Sequence, residues 1–419
     1  MSYTSTLEYI HSVKWQGSKP GLSRTQTLLA ALGNPERGLK FVHIAGTNGK
    51  GSTAACIAAC LQAAGYRVGL YTSPFINRFN ERMQINGTPI SDADLETLVD
   101  GIRPAAEAMS DAPTEFELIT ALGFLYFAQQ HCDIVVLEVG LGGELDSTNV
   151  IGPPEVAVIT ALGLDHMAVL GNSMAEIAQA KAGIIKGGCP VISYGGIPEA
   201  DAVIATACQR ERAPLYPVDF SQLTLLPGSL SGTQFDFGDL KALTLPLLGS
   251  YQPKNAAVAI TALRVLAESG WNISDSAIRT GLAAVQWPGR FELLRNAPPF
   301  ILDGSHNPPG MEATAQSLRD RFPGQTITFL ISVMADKDVT GILTPILPLA
   351  REFVTVRANL PRAMSAEELA DTILALGGTA TAAPTISAGV ARALHLAGET
   401  GPVCALGTLY FSADVRNAL

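Results

Sequence analysis

Seven consecutive residues, Gly46-Thr47-Asn48-Gly49-Lys50-Gly51-Ser52, have the composition to grip a phosphate. Glycines let the backbone turn its N–H groups toward phosphate oxygens. The start of a following helix adds a favourable dipole, and Lys50 brings a point charge to the β and γ phosphates. The spacing departs from the usual Walker A pattern, because Ile44 stands where the first glycine belongs and Gly51 separates Lys50 from Ser52. A bland alternative is a Gly-rich turn with a solvated lysine. A second cluster begins at Glu138, the end of the apolar run IVVLEV, and continues as GLGGELDSTN from Gly140 to Asn149. A carboxylate at the buried end of a strand is costly unless something positive pairs with it. Magnesium held with a nucleotide would do so, as would a structural lysine or arginine. Leu164-Asp165-His166 follows the apolar run VAVIT, and Lys181 lies on the next expected helix. Alone, His166 reads as a hydrogen-bonded loop residue and Lys181 as a helix-surface charge; their company raises both. The later half carries Tyr251-Gln252-Pro253-Lys254-Asn255, Trp287-Pro288-Gly289-Arg290, Asp303-Gly304-Ser305-His306-Asn307, Met334-Ala335-Asp336-Lys337-Asp338 and Gly407-Thr408-Leu409-Tyr410. Each taken singly is a turn or a helix cap.

The elements expected to position these residues alternate. Strands are expected at Lys40–Ala45, Arg67–Tyr71, Ile134–Val139, Val156–Thr160 and Pro190–Ser193. Helices are expected at Thr53–Ala64, Asp92–Met109, Glu117–Gln130, Met174–Ile184 and Ala200–Glu211. That is the pattern of a largely parallel sheet covered on both faces, whose ligands sit at the carboxyl ends of its strands. Leu215 to Leu248 reads as a small antiparallel excursion, followed by helices at Asn255–Ser269 and Ser274–Val285. A second β-α set has strands at Phe300–Asp303, Ile327–Ser332, Phe353–Val356 and Val403–Leu406. Its helices are expected at Gly310–Arg321, Thr340–Leu349, Ala366–Ala375 and Ala388–Leu396. The Pro-, Gly- and charge-rich stretch Trp287–Pro299 marks the boundary, giving domains 1–293 and 294–419. Polar clusters at successive strand ends then converge.

A length of 419 residues allows two or three domains and a core that needs no disulfide or structural metal. Charged residues make up 16% against a usual quarter, yet no run of about 18 apolar residues appears, so a soluble chain without a membrane span is expected. A net charge of -10 offers no broad cationic field for nucleic acid. Met1 to Trp15 has no continuous apolar stretch of the kind a secretion signal needs, so the cytoplasm is expected. The six cysteines contain no CxxC pair and are expected as reduced packing residues.

The sequence resembles the folylpolyglutamate synthase and dihydrofolate synthase family, within the Mur ligase-like ATP-dependent amide-forming enzymes. The resemblance is carried over nearly the whole chain by GTNGKGS (Gly46 to Ser52), YTSPFINRFNERM (Tyr71 to Met83), TEFELITA (Thr114 to Ala121), LEVGLGGELDSTNV (Leu137 to Val150), LDH (Leu164 to His166), KAGII (Lys181 to Ile185), WPGRFE (Trp287 to Glu292), DGSHNP (Asp303 to Pro308) and ADKD (Ala335 to Asp338). It implies an α/β enzyme with a P-loop parallel-sheet N-terminal ATPase domain and a smaller Rossmann-like C-terminal domain. Such an enzyme phosphorylates the terminal carboxylate of a folate with ATP and lets L-glutamate attack the acyl phosphate. The resemblance assigns ATP to Thr47, Asn48, Gly49, Lys50, Gly51, Ser52, Asn255, Arg290 and Asp303. It assigns one magnesium to Ser73 and Glu138 and a second to Glu138, His166 and a carbamylated Lys181. Carbamylation turns a cation that would repel a metal into an anionic oxygen donor. By the same resemblance, Phe75, Arg82, Asp146 and Ser147 build the folate site, and His306, Thr408 and Tyr410 the glutamate site. Catalysis falls to Lys50, Lys181, His306 and Asp303. Many members have arginine where this chain has Glu144, and serine where it has Thr408. The TEFE and TSPFI forms look like the folylpolyglutamate branch. The nearest rival is dihydrofolate synthase activity, which adds the first glutamate to dihydropteroate by the same chemistry. A cell-wall ligase would need a whole N-terminal domain where only 45 residues precede Gly46. A rival of another class is a nucleotide-binding regulator without ligase activity. The expected partners are ATP, folate and L-glutamate, with no nucleic acid and no membrane, and the chain is expected to be a monomer.

Overall fold

A computed structural model describes residues 2–12 and 20–419; of the opening stretch, Met1 and 13–15 lie outside it. The chain forms two compact units. The first takes in residues 1–223, 237–240 and 254–285, the second 224–236, 241–253 and 286–419.

The first unit is built on an eight-stranded sheet. In chain order its strands are β1 (Phe41–Ala45), β2 (Val68–Tyr71), β3 (Met83–Ile85), β4 (Thr88–Pro89), β5 (Ile134–Glu138), β6 (Val156–Ile159), β7 (Val191–Ser193) and β8 (Leu215–Pro217). Across the sheet the order is β4-β3-β2-β5-β1-β6-β7-β8. β1 pairs in parallel with β5 on one side and β6 on the other, with Ile44 opposite Glu138 and Ala45 opposite Ile159. Every residue of β1 and β5 is buried, as continuous apolar strands covered on both faces require. The order reverses around β1, so the carboxyl ends of β5, β1 and β6 meet where open α/β sheets bind ligands. Among the described residues these strands are accompanied by helices α1 (Tyr3–Ser12), α2 (Ser23–Ala31), α3 (Lys50–Ala63), α4 (Asp92–Glu107), α5 (Glu115–Gln129), α6 (Met167–Leu170), α7 (Met174–Ala182) and α8 (Pro198–Glu211). Thr114 and Glu117 form a capping box that starts α5 where the TEFE run lies, and Glu117 also pairs with buried Arg24.

Three further strands, β9 (Leu223–Ser229), β10 (Gly232–Phe237) and β11 (Leu240–Leu245), form a separate sheet in the order β11-β10-β9. Two-residue connections leave only antiparallel pairing, as the alternating sequence predicts. That reading began at Leu215, however, and Leu215–Pro217 is the parallel edge of the main sheet. Three residues are too few for a period to show. Helices α9 (Gln252–Glu268) and α10 (Asp275–Ala284) complete the first unit. α3 and α10 approach closely: a Cβ on Gly281 would come within 2.4 Å of the Cys60 Cα. Such contact needs small residues, which accounts for the Ala- and Cys-rich sequence of α3. All six cysteines are free and buried.

The second unit contains β12 (Glu292–Asn296), β13 (Pro299–Leu302), β14 (Ile327–Ile331), β15 (Ala350–Thr355), β16 (Ala380–Ala382) and β17 (Val403–Leu406), with helices α11 (Pro308–Arg321), α12 (Val339–Leu343), α13 (Ala366–Ala375), α14 (Ile386–Ala397) and α15 (Ser412–Asn417). Its sheet order is β12-β13-β17-β14-β15-β16. The strands from β13 onward pair in parallel, and β12 pairs antiparallel with β13. The boundary expected at 293/294 falls inside β12, whose charged sequence reads as a linker until its partner is seen; the units divide at Val285 and Gln286. Arg321 ties 224–236 into this unit by donating to the carbonyls of Ser229 and Leu248 and to Thr233 Oγ1. The helix expected over Thr340–Leu349 stops at Leu343, ahead of Pro345, and resumes as a 3-10 turn at Leu347–Leu349. No described helix is long and apolar enough to cross a membrane.

Candidate active site

The phosphate loop joins β1 to α3, as its sequence predicts. Gly46 needs its missing side chain, since a Cβ there would lie 1.8 Å from Thr160 Oγ1. Gly49 has φ +86, and a Cβ there would meet Asn255 Oδ1 at 2.5 Å. Only glycine combines that left-handed backbone with that approach. The loop is held from β6: Thr47 and Asn48 donate their backbone N–H groups to the Ala161 carbonyl at 3.0 Å, and Thr47 Oγ1 donates to the Gly163 carbonyl at 3.0 Å. Gly49 caps α3 with no side-chain hydrogen bond, so the helix opens with the amides of Lys50, Gly51 and Ser52 in its first turn. Those amides, the helix dipole and the partly buried Lys50 amine make an anion site.

Glu138 closes β5, is 4% exposed and accepts the Ser73 backbone N–H at 3.2 Å. Lys181, on α7, is equally buried and donates to the Gly46 carbonyl at 2.8 Å, beneath the phosphate loop. Burial first and the Lys50 charge second, opposed by Asp165 and Asp146, bring its pKa down to about 7. The helix-surface reading of Lys181 is thereby excluded. His166 caps α6 with φ 52, its side chain half exposed and 3.9 Å from the Asp165 carboxylate. Among the described residues, no group of three or more His, Cys, Asp or Glu is arranged to hold a metal. The oxygens of Glu138 and Ser73 suit a hard cation, whereas Lys181 as an amine does not.

The residues expected around folate divide. Arg82 lies over the rings of Phe75 and Phe79, 5.3 and 5.7 Å from their centroids, and its buried Nε has no hydrogen-bond partner. Asp146 is turned inward. It accepts the backbone N–H of Leu141 at 2.9 Å and both the N–H and hydroxyl of Thr148, at 3.0 and 2.6 Å. Burial raises its pKa. Asp146 therefore shapes the GLGGELDSTN loop, in which Ser147 is buried and Glu144 exposed.

In the second unit Asp303 closes β13 at 1% exposure. One carboxylate oxygen accepts Tyr251 Oη at 2.9 Å and Phe291 N at 2.8 Å; the other accepts Ser305 N at 2.9 Å and Thr314 Oγ1 at 2.8 Å. The catalytic and ATP-contacting role expected of Asp303 meets a carboxylate already saturated by protein donors. What Asp303 does hold is Phe291, fully buried with a left-handed φ of 52, directly after Arg290. Arg290 is partly buried, and a Cβ on Gly304 would lie 3.0 Å from its Nη1. His306 donates from Nδ1 to the Gly304 carbonyl at 2.8 Å, which places the proton of a neutral ring on Nδ1. Gly407 N donates to the Ser305 carbonyl at 3.0 Å, so the loops after β13 and β17 touch. Thr408 is buried and accepts the Tyr410 N–H at 3.2 Å; Tyr410 is half exposed.

Comparison with known proteins fits this geometry. Residues 44–263 match the Mur ligase middle domain, and residues 289–409 the Mur ligase glutamate ligase domain. A Bacillus subtilis dihydrofolate synthase/folylpolyglutamate synthase is 39% identical, with 100% of this chain and 99% of the relative aligned. The chain belongs to this family of Mur ligases. A Lacticaseibacillus casei folylpolyglutamate synthase is 44% identical over 82% of each chain. The structure of Mycobacterium tuberculosis folylpolyglutamate synthase with ADP and AMPPCP superposes with a TM-score of 0.89 at 32% identity, covering 99% of this chain and 98% of that one. The Mur ligase fold and family make the chain an ATP-dependent ligase.

Sequence reasoning missed one member of this ligase's first unit. His43, fully buried in β1, lies 2.9 Å from Thr148 Oγ1 through Nε2. Because the Thr148 hydroxyl donates to Asp146, His43 must donate to it from Nε2. The imidazole thus links the strand below the phosphate loop to the loop after β5. A polar residue inside the otherwise apolar run FVHIA was the available signal.

Proposed function

We propose that this ligase is a folylpolyglutamate synthase. It transfers the γ-phosphoryl group of ATP to the terminal carboxylate of a reduced folate glutamate, and the amine of L-glutamate then displaces phosphate to form the amide. Phosphorylation is needed because a carboxylate repels nucleophiles and its oxygen is a poor leaving group. The observation that carries the reading is the phosphate loop flanked by two buried ionisable groups, Glu138 at the end of β5 and Lys181 on α7. The amides of Lys50 to Ser52 and the Lys50 amine would offset the charge that moves with the phosphoryl group. Ser73 and Glu138 would hold one magnesium, and Glu138, His166 and Lys181 a second; bound there, the ions would neutralise phosphate oxygens. Lys181 fits that role once its amine has added carbon dioxide and lost a proton. Its pKa, lowered to about 7 mainly by burial, leaves the nucleophilic free amine available near neutrality. Arg290 would contact ATP, held by the hydrogen bond from Phe291 to Asp303. Phe75 and Arg82 would receive the folate, and His306, Thr408 and Tyr410 the incoming glutamate. The chain is read as a cytoplasmic monomer.

Dihydrofolate synthase activity is the second reading, favoured by the double name of the Bacillus subtilis relative. Supplying ATP, magnesium and glutamate with either tetrahydrofolate or dihydropteroate decides between them. Phosphate release should require both glutamate and the pteridine substrate. Release from ATP alone would make the chain a nucleotide hydrolase or switch instead. Lys181→Ala should lose ligation and regain part of it with an added small carboxylate; normal turnover by this variant would overturn the carbamate. Under limiting bicarbonate, wild-type activity should rise with pH through about 7, as the Lys181 amine deprotonates.

A further inference from the structure

The nucleotide contact read onto Arg290 depends on a turn of backbone that most residues do not adopt freely. Gly289 and Phe291, on either side of it, both have left-handed φ, 69° and 52°. For phenylalanine such a conformation persists only where surrounding groups hold it. Two carboxylates do so. Asp303, just past β13, accepts the Phe291 N–H at 2.8 Å, and Glu292, the first residue of β12, accepts the Gly289 N–H at 2.6 Å. β12 and β13 pair antiparallel with Glu292 opposite Leu302, so both acceptors stand at one end of that ladder.

The two carboxylates differ in what holds them. Asp303 is buried among its donors, whereas Glu292 keeps 28% of its side chain exposed and is gripped from α15 by Arg416, itself 23% exposed. Arg416 Nη1 donates to Glu292 Oε1 at 2.9 Å and Nη2 donates to Oε2, a two-pronged pair that fixes the plane of the carboxylate. Oε2 is the oxygen that takes the Gly289 N–H. Arg416 Nε is buried without a hydrogen-bond partner, so the guanidinium leaves water on that side and recovers its donors at Glu292. α15 is a firm base for this reach, since Phe411 and Val415 are fully buried. The geometry points to Arg416 as a positioning residue for Arg290: through Glu292 it fixes the turn that aims the Arg290 guanidinium, and so sets affinity for the nucleotide. This rests on the reading of Arg290 as an ATP contact. Without Arg416 the Glu292 carboxylate can swing into water, the Gly289 amide loses its acceptor, and the turn keeps one clamp of two.

Initial rates of ligation by the full chain with tetrahydrofolate and magnesium, varying ATP and then L-glutamate, test this. Arg416→Gln should raise the KM for ATP roughly fivefold to fiftyfold, while the KM for glutamate stays within about twofold. α15 follows the loop of Thr408 and Tyr410, so a merely structural role would disturb glutamate as much as ATP. Arg416→Lys keeps the charge but loses the second prong, and should fall between Arg416→Gln and the wild type. Glu292→Ala should match Arg416→Gln, because either change releases the Gly289 amide. Combination with Arg290→Ala separates aiming from support. With that guanidinium gone there is nothing left to aim, so adding Arg416→Gln should change the ATP KM by less than about twofold. Should Arg416→Gln fail to fold, Arg416→Lys carries the same comparison. An unchanged ATP KM in these variants, an equal rise for glutamate, or a full further rise on top of Arg290→Ala would overturn the assignment. If Arg290→Ala alone leaves the ATP KM unchanged, the nucleotide reading of Arg290 fails and this inference with it. If Arg290→Ala raises it and the Arg416 variants do not, only the role of Arg416 fails.

Discussion

Burial pushes the His43 imidazole down to about 3, and the neighbouring Lys186 ammonium adds to the shift. A histidine held neutral in the fold stabilises it fully above its unfolded pKa of about 6.5. As pH falls below that value the unfolded chain takes up a proton that the native state refuses. About 1.4 kcal/mol is then lost per pH unit until the folded pKa is reached. Urea titrations between about pH 6.5 and pH 5 should show this slope in the wild type, and a slope shallower by about that amount in His43→Gln. Glutamine retains a donor for Thr148 but does not titrate. Equal slopes would mean that His43 is already charged in the fold. The residue scale is also where the sequence was hardest to read. Glu138 stands out because it sits in a motif at a strand end, and Lys181, on a helix, because of the motifs that accompany it. His43 does not, because nothing local marks which turn of the chain comes to lie above a strand residue. Asp303 stands out too, but the donors around it are not legible in the sequence, since they come from positions as far apart as Tyr251 and Thr314.

At the scale of elements, long apolar runs bounded by glycine announced themselves. β1, β5, β6, β14 and β17 lie within a residue or so of their expected ranges, because continuous burial on both faces leaves a sequence with few alternatives. β8, β12 and β16 were missed: each is an edge strand paired on one side alone, which leaves its sequence free of the apolar run that marks a buried strand. The link between β1 and α3 is where element geometry and chemistry are the same thing. Gly49 turns the chain through φ +86 so that the first amides of α3 face outward together, and its bare Cα lets Asn255 approach. Gly49→Ala places a methyl 2.5 Å from Asn255 Oδ1 on a backbone that L-residues resist by roughly 1–2 kcal/mol. Relief requires either Asn255 or the loop to move, and both belong to the proposed nucleotide site. The variant should therefore stay folded, with a modest loss of stability, while its affinity for ADP by calorimetric titration falls about tenfold or more. Retained affinity would show that the loop does not grip the phosphates.

For the whole molecule, the two units make a linkage experiment informative. A nucleotide that binds only the native chain stabilises it by about 2.7 kcal/mol at a hundred times its dissociation constant. For a unit of about 260 residues this corresponds to a rise of roughly 5 °C in melting temperature. The phosphate loop, Lys50 and Asn255 all belong to the first unit, so its unfolding should respond directly to ADP with magnesium. With the Lys50 amine removed, the helix amides still face the phosphates but the point charge is gone. Lys50→Ala should therefore melt like the wild type without ligand, show a much smaller rise with ADP, and support no ligation. The net charge of -10 sharpens the contrast, because an anionic nucleotide approaches a chain whose overall field opposes it and must find its attraction locally. An equal rise in Lys50→Ala and the wild type would mean that nucleotide lodges away from this loop, and the proposed phosphoryl transfer would lose its starting point.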